Sequence, residues 1–184
     1  NNVAPDTWGH GTHGAGCAAG RTDNGIGIAS ASWNVRLMPI RDGYPIADAN
    51  GWWGMWGYSF WELAASGIQY AVDNGARVIS YAAGATSAPT SLQVAIQYAR
   101  ANNAIFLASA MNANTQTPYY PAAWPEVVAV AATDRVDRKV GFSNYGPWVD
   151  VCAPGVDIWS TFSNNQYHPV DYYMWMGTSF SAPI

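Results

Sequence analysis

Arg77-Val78-Ile79-Ser80-Tyr81-Ala82, then Thr90-Ser91-Leu92-Gln93-Val94-Ala95-Ile96-Gln97-Tyr98-Ala99, then Ala104-Ile105-Phe106-Leu107-Ala108-Ser109: this stretch decides the fold. The first and third runs are short, apolar and β-branched or aromatic, as a strand buried on both faces requires. The middle run places Leu92, Ala95, Ile96 and Ala99 on one helical face, with Thr90 or Ser91 able to cap it. Strand, helix, strand in this compass predicts a βαβ unit on a parallel sheet.

The pattern extends both ways from there. Val127 to Ala132 predicts a further strand. Upstream, apolar residues at 60, 63, 64, 68, 71 and 72 fall on one helical face, and Asp73-Asn74-Gly75 stops that helix. Val35-Arg36-Leu37-Met38-Pro39-Ile40 reads as a buried strand with Pro39 near its end. Val140 to Thr161 is rich in turn residues and reads as loops with short antiparallel pieces. The fold class is α/β, a parallel sheet with helices on both faces. Sites in such sheets form at the carboxyl ends of the strands, which directs attention to Ala82–Ala85 and Ala110–Asn114.

Composition narrows the function. Only 11% of the 184 residues are charged and the net charge is −4. That gives no basic footprint for nucleic acid and no cationic face for anionic lipid. No apolar run approaches the roughly 18 residues of a membrane span. Ten tryptophans and eleven tyrosines are the compositional oddity. Cys17 and Cys152, far apart in sequence, are either one long-range bridge or two buried thiols.

Three clusters can do chemistry. Gly9-His10-Gly11-Thr12-His13-Gly14-Ala15-Gly16 has two histidines three apart, but zinc-protease spacing needs four and a Glu where Gly11 stands. The same glycines suit a helix packed closely under a strand, or a histidine held rigidly as a general base. Gly177-Thr178-Ser179-Phe180-Ser181-Ala182-Pro183 reads as a helix start. There a serine gains free backbone N–H groups and the positive end of the dipole, or simply caps the helix. Ser109-Ala110-Met111-Asn112 ends a strand with an amide that can turn the chain or donate to an oxyanion.

Together these clusters resemble the subtilisin-like serine peptidases (subtilases). The histidine motif is 9–16 and the nucleophile motif 177–183. Asn24-Gly25-Ile26-Gly27-Ile28-Ala29, Val78-Ile79-Ser80, Phe142-Ser143-Asn144-Tyr145-Gly146 and Ala153-Pro154-Gly155 resemble further family segments in the family's order. The resemblance implies a three-layer α/β/α catalytic domain and a serine endopeptidase. Ser179 is then the nucleophile, His10 the general base and Asn112 the oxyanion donor, with substrate added as a strand beside Ala82-Ala83-Gly84. Met111 stands where the family usually has Gly and lines the primary pocket, which implies a preference for small side chains. Trp61 is placed to wall a pocket for an upstream substrate residue. Tyr120-Pro121 resembles a segment with a cis peptide.

Departures from the family pattern matter too. The triad Asp belongs on a strand well before the His, and Asp6 matches a different acidic position. Residues 1–184 are therefore expected to be an internal part of a catalytic domain truncated at both ends, inactive alone. No cofactor is required for the chemistry. Asn24 resembles a calcium-binding loop and leaves room for a structural calcium, against an ordinary Asn-Gly turn. Family habit implies a polypeptide substrate, a cleaved pro-segment and export to the extracellular space. The glycines within 51–61 (Gly-Trp-Trp-Gly-Met-Trp-Gly-Tyr-Ser-Phe-Trp) suggest a loop, which the resemblance implies borders the substrate cleft, the alternative being rings packed on one another or on other parts of the domain. The rival reading is a catalytically inactive subtilase-fold module that binds peptide or glycan through this loop.

Overall fold

A computed structural model describes residues 6, 8–47, 53–163 and 169–184. Its centre is a four-stranded parallel sheet in the order β3 (Val78–Tyr81), β4 (Ile105–Ser109), β5 (Val128–Thr133), β6 (Val151–Pro154). The helices α2 (Trp61–Asp73) and α3 (Thr90–Ala101) pack on each other and on one face. Leu92, Ala95, Ile96 and Ala99 are fully buried there with Phe106, Ala108 and Ala129. Burying side chains the size of Leu92 or Ile96 stabilises by about 1.5–3 kcal/mol each. On the other side, the short α4 (Thr178–Ser181) packs against β4, β5 and β6, and α1 (His10–Ala19) packs on α4. Both layers expected from the sequence are present.

Two hairpins flank this frame: β1 (Gly43–Ala47) with β2 (Trp53–Ser59), and β7 (Ile158–Thr161) with β8 (Tyr172–Trp175), each antiparallel. α1 lies on β7 at close range. A Cβ on Gly16 would collide with Ser160 and Thr161. Their hydroxyls donate to the carbonyls of His13 (2.7 Å) and Thr12 (2.9 Å). Gly16 thus serves close packing, whereas a Cβ on Gly14 would meet nothing within 4 Å.

Several expectations need correction. Residues 35–40 form no strand, and Val35 and Leu37 are more than half exposed. An apolar run becomes a buried strand only beside a neighbour, and none of the described residues supplies one. β3 is the sheet edge, with Val78 62% exposed. β6 is a full parallel strand rather than part of a loop region: Ala131 and Ala132 pair with Cys152 and Ala153 across the register. The stretch expected as a loop at 51–61 contains β2, because an antiparallel partner satisfies its backbone and glycine lets the strands close. A Cβ on Gly43 would strike the Tyr58 carbonyl. Trp52 lies outside the described residues. In α2 the buried stripe is Ala64, Ala65, Ile68 and Ala71, while Leu63 points outward. The cap position of α3 is Pro89, one residue before Thr90, with no side-chain cap bond. Both cysteines are free, Cys17 buried but Cys152 exposed, since β6 ends the sheet on its outer side.

Candidate active site

The three clusters meet at the carboxyl ends of the strands. β6 runs into Gly155, whose carbonyl accepts the Gly177 N–H at 2.8 Å, so the start of α4 is fastened to the end of the sheet. β4 runs into Met111 and Asn112 beside it. Asn112 Oδ1 accepts both the Thr178 N–H (3.0 Å) and the Thr178 hydroxyl (2.9 Å). A backbone N–H can only donate, so this fixes which amide atom is oxygen and leaves Nδ2 free to face outward. A Cβ built on Gly177 would lie 3.5 Å from Asn112 Nδ2 and 3.8 Å from Ser179 N, so both donors border one small space. Gly177 has φ 146°, a backbone that suits glycine. Ser179 is 8% exposed, and Ser181 Oγ ties the helix to the Pro154 carbonyl at 3.1 Å.

His10 is the first residue of α1. Gly9 precedes it in the left-handed region at φ 85°, and a Cβ there would strike the Phe162 ring. Asp6 organises this helix start. Its carboxylate accepts N–H groups from Trp8 (3.0 Å), Gly9 (2.8 Å) and Thr12 (3.0 Å), and the Thr12 hydroxyl (2.7 Å). Burial opposes the charge, but these bonds outweigh it and hold the carboxyl below its ordinary range. Asp6 therefore caps a helix rather than orienting an imidazole. The His10 pKa is pushed down to about 4, chiefly by burial and then by His13, with Asp6 opposing. At neutral pH the ring is an uncharged base.

Aromatic rings surround His10. Trp8 stacks on it at 4.5 Å and 12°, Phe180 lies 5.2 Å away and Trp175 meets it edge-on at 5.7 Å. Trp8 is seated in turn on β2, where a Cβ on Gly57 would come within 2.6 Å of its ring. No hydrogen bond joins His10 to Ser179 in this structure, although Phe180, the neighbour of Ser179, touches the imidazole. His13 does different work. Its Nε2 donates to the carbonyls of Ile158 (3.2 Å) and Tyr173 (3.1 Å), which ties α1 to the β7–β8 hairpin. That uses the ring for structure, and no group of three metal-binding side chains occurs among the described residues.

The remaining candidates are distributed as follows. Ala82, Ala83 and Gly84 follow β3 directly. Ala83 and Gly84 make no backbone hydrogen bond outside the sheet among the described residues, so this edge is available. Met111 sits at φ 73°, which explains why glycine suits the position, and its side chain packs over Gly84: a Cβ there would be 3.3 Å from Met111 Cγ. Trp61 opens α2 and leans on the core. Tyr120-Pro121 is cis, and Tyr120 bridges to Ala85. Asn24 Oδ1 accepts the Ile26 N–H at 3.0 Å, which closes a local turn.

Sequence reasoning missed Trp8 and Asn144. Nothing in the sequence said that Trp8 would stack on His10. Asn144 stood inside a recognised motif, and that was its signal.

Comparison with known proteins bears on this arrangement. A model described as the subtilase family matches residues 1–184. The chain is 41% identical over 174 residues to a thermophilic serine proteinase of Bacillus sp. (strain AK1), covering 95% of this chain and 40% of that protein. It is 39% identical over 175 residues to thermitase of Thermoactinomyces vulgaris, covering 95% and 57%. Among solved structures, the prenylagaramide maturation protease PagA superposes with TM-score 0.77 at 30% identity, covering 97% of this chain and 61% of that one. The chain spans about half the length of the curated relatives it matches.

Proposed function

The chain belongs to the subtilase family, and from that membership we propose that it carries the nucleophile and general base of a serine endopeptidase. The observation that carries the reading is the double hydrogen bond from Thr178 to Asn112 Oδ1, which turns Asn112 Nδ2 toward the space bordered by Ser179 N. Two donors aimed at one point beside a serine at a helix start is the arrangement that stabilises a tetrahedral oxyanion.

In this reading Ser179 Oγ attacks the peptide carbonyl as His10 accepts its proton. Asn112 Nδ2 and Ser179 N donate to the oxyanion. His10 then delivers the proton to the leaving amine, and water releases the acyl group by the same steps. Such hydrogen bonds are often long without substrate and tighten when it binds. Substrate lies along Ala82–Gly84. Met111, packed over Gly84, shortens the adjoining pocket and favours small side chains. Trp61 borders the upstream part of the cleft. The triad carboxylate comes from sequence outside 1–184. The open edge of β3 and the exposed run at 35–40 support that view, because another strand would cover both. No step needs a metal.

The substrate is polypeptide, a cleaved pro-segment precedes the mature enzyme, and the protein is exported. No described helix is long and apolar enough to cross a membrane. The test is hydrolysis of an unfolded protein substrate by the full-length protein and by Ser179→Ala. Loss of cleavage in the variant is expected; cleavage that survives it would overturn the assignment.

A further inference from the structure

Asn112 sits in a loop that a second segment grips from both sides. Asn144 is fully buried. Its Oδ1 accepts the Ala113 N–H (2.8 Å) and the Thr115 N–H (3.3 Å), and its backbone N–H donates to the Met111 carbonyl (3.0 Å). One residue thus bonds the positions immediately before and after Asn112. Further bonds run alongside: Asn114 N–H to the Phe142 carbonyl (2.8 Å) and Tyr145 N–H to the Thr115 carbonyl (3.1 Å). Lys139 Nζ donates to Asn114 Oδ1 (2.9 Å) and to the carbonyls of Val140 and Ser143 (both 3.0 Å), with its charge over the Tyr145 ring at 4.8 Å.

Two features say that this grip holds a geometry under strain. Met111 occupies the left-handed region at φ 73° and Asn114 at φ 49°, so the backbone on either side of Asn112 needs outside bonds to stay there. Asn144 Nδ2 is buried without a partner. Leaving a buried donor unpaired is costly. A residue without a carboxamide would avoid that cost but lose both side-chain bonds to the loop.

We propose that Asn144 is a positioning residue for the oxyanion donor. It fixes the backbone flanking Asn112 so that Nδ2 points at the reacting oxygen, and Lys139 anchors the same segment from the solvent side. The inference rests on the peptidase reading. It adds that the donor's aim is set by the 139–145 segment as well as by Thr178.

The test is a double-mutant cycle in the full-length protein, with kcat and KM on a chromogenic peptide and fluorophosphonate labelling of Ser179 measured in parallel. Asn144→Ala should lower kcat about 10- to 100-fold, within the loss from removing the donor itself, and leave KM within about twofold. Combined with Asn112→Ala it should add less than about threefold, because both changes remove one function. Lys139→Met, at an exposed position, should give a smaller kcat loss that also vanishes in the Asn112→Ala background. Equal proportional losses in the two backgrounds, or kcat unchanged in Asn144→Ala, would overturn the positioning role. Should Asn144→Ala fold poorly, Lys139→Met alone decides by the same criterion. Absence of labelling on the parent protein would instead overturn the peptidase reading and this inference with it.

Discussion

The floor of the candidate site and its wall are built by different rules. On the floor, Asn112 Oδ1 holds Thr178 and Asn144 Oδ1 holds the backbone of Ala113 and Thr115, so the loop that carries the donor is pinned from two sides. The wall is the β1–β2 hairpin. It meets the structure around the floor through Trp8 resting on Gly57 and through Ser59 Oγ against Tyr81 OH at 2.6 Å. Tyr44 and Tyr58 are exposed on it. The difference separates two tasks. Chemistry needs donors aimed to within a fraction of an ångström, whereas recognition of a side chain needs shape that can vary between relatives.

If that division is right, substitutions on the floor act on kcat and those on the wall act on KM. The largest effect belongs to Ser179→Ala, which should reduce kcat by about a millionfold. Asn112→Ala follows, with a loss of about 100- to 1,000-fold in kcat and little change in KM. Both sizes are those of the equivalent groups in subtilisin, a relative, carried over to this chain. Met111→Gly lies at the border. It should raise kcat/KM about tenfold for substrates with bulky residues before the cleaved bond and leave small ones unchanged. An unchanged preference would show that Met111 does not shape the pocket.

On the wall, Tyr58→Ala removes an exposed ring and should raise KM about threefold while Ser179 still labels fully. A kcat loss there as large as that of Asn112→Ala would erase the distinction. The smallest effect is on pH. Both His10 and His13 are held below the ordinary histidine value by burial, so the unfolded chain binds more protons than the folded one as the solution is acidified. The contribution of His10 to stability is complete above about pH 6.5 and is lost as pH falls toward 4, and that of His13 is lost in the same direction. Urea midpoints at pH 7 and pH 5 read it, and His10→Gln should narrow the gap between them.

The floor was more legible than the wall. α3 could be read residue by residue because its four core positions are apolar at helical spacing and all four are fully buried. Asp6 could be set apart from a catalytic acid, and the bonds it makes to the start of α1 agree. Elsewhere tertiary context overruled local pattern. Val35 to Ile40 has the composition of a buried strand, yet burial depends on a neighbour that local sequence cannot name. β6 hid because Val-Cys-Ala-Pro is short and ends in proline, which sits at its last position. β2 hid because glycine in a strand looks like a loop until its partner is seen. The role of Asn144 hid for a different reason: its meaning lies in bonds to residues about thirty positions away.

The central claim is that Ser179 is an activated nucleophile. It is tested most directly by the intact mass of the folded, full-length, pro-segment-free protein after a fluorophosphonate probe, beside Ser179→Ala. The account predicts one added probe mass on the protein and none on the variant. A folded protein that gains no adduct would contradict it, and would return attention to the tryptophan-rich hairpin as a binding surface.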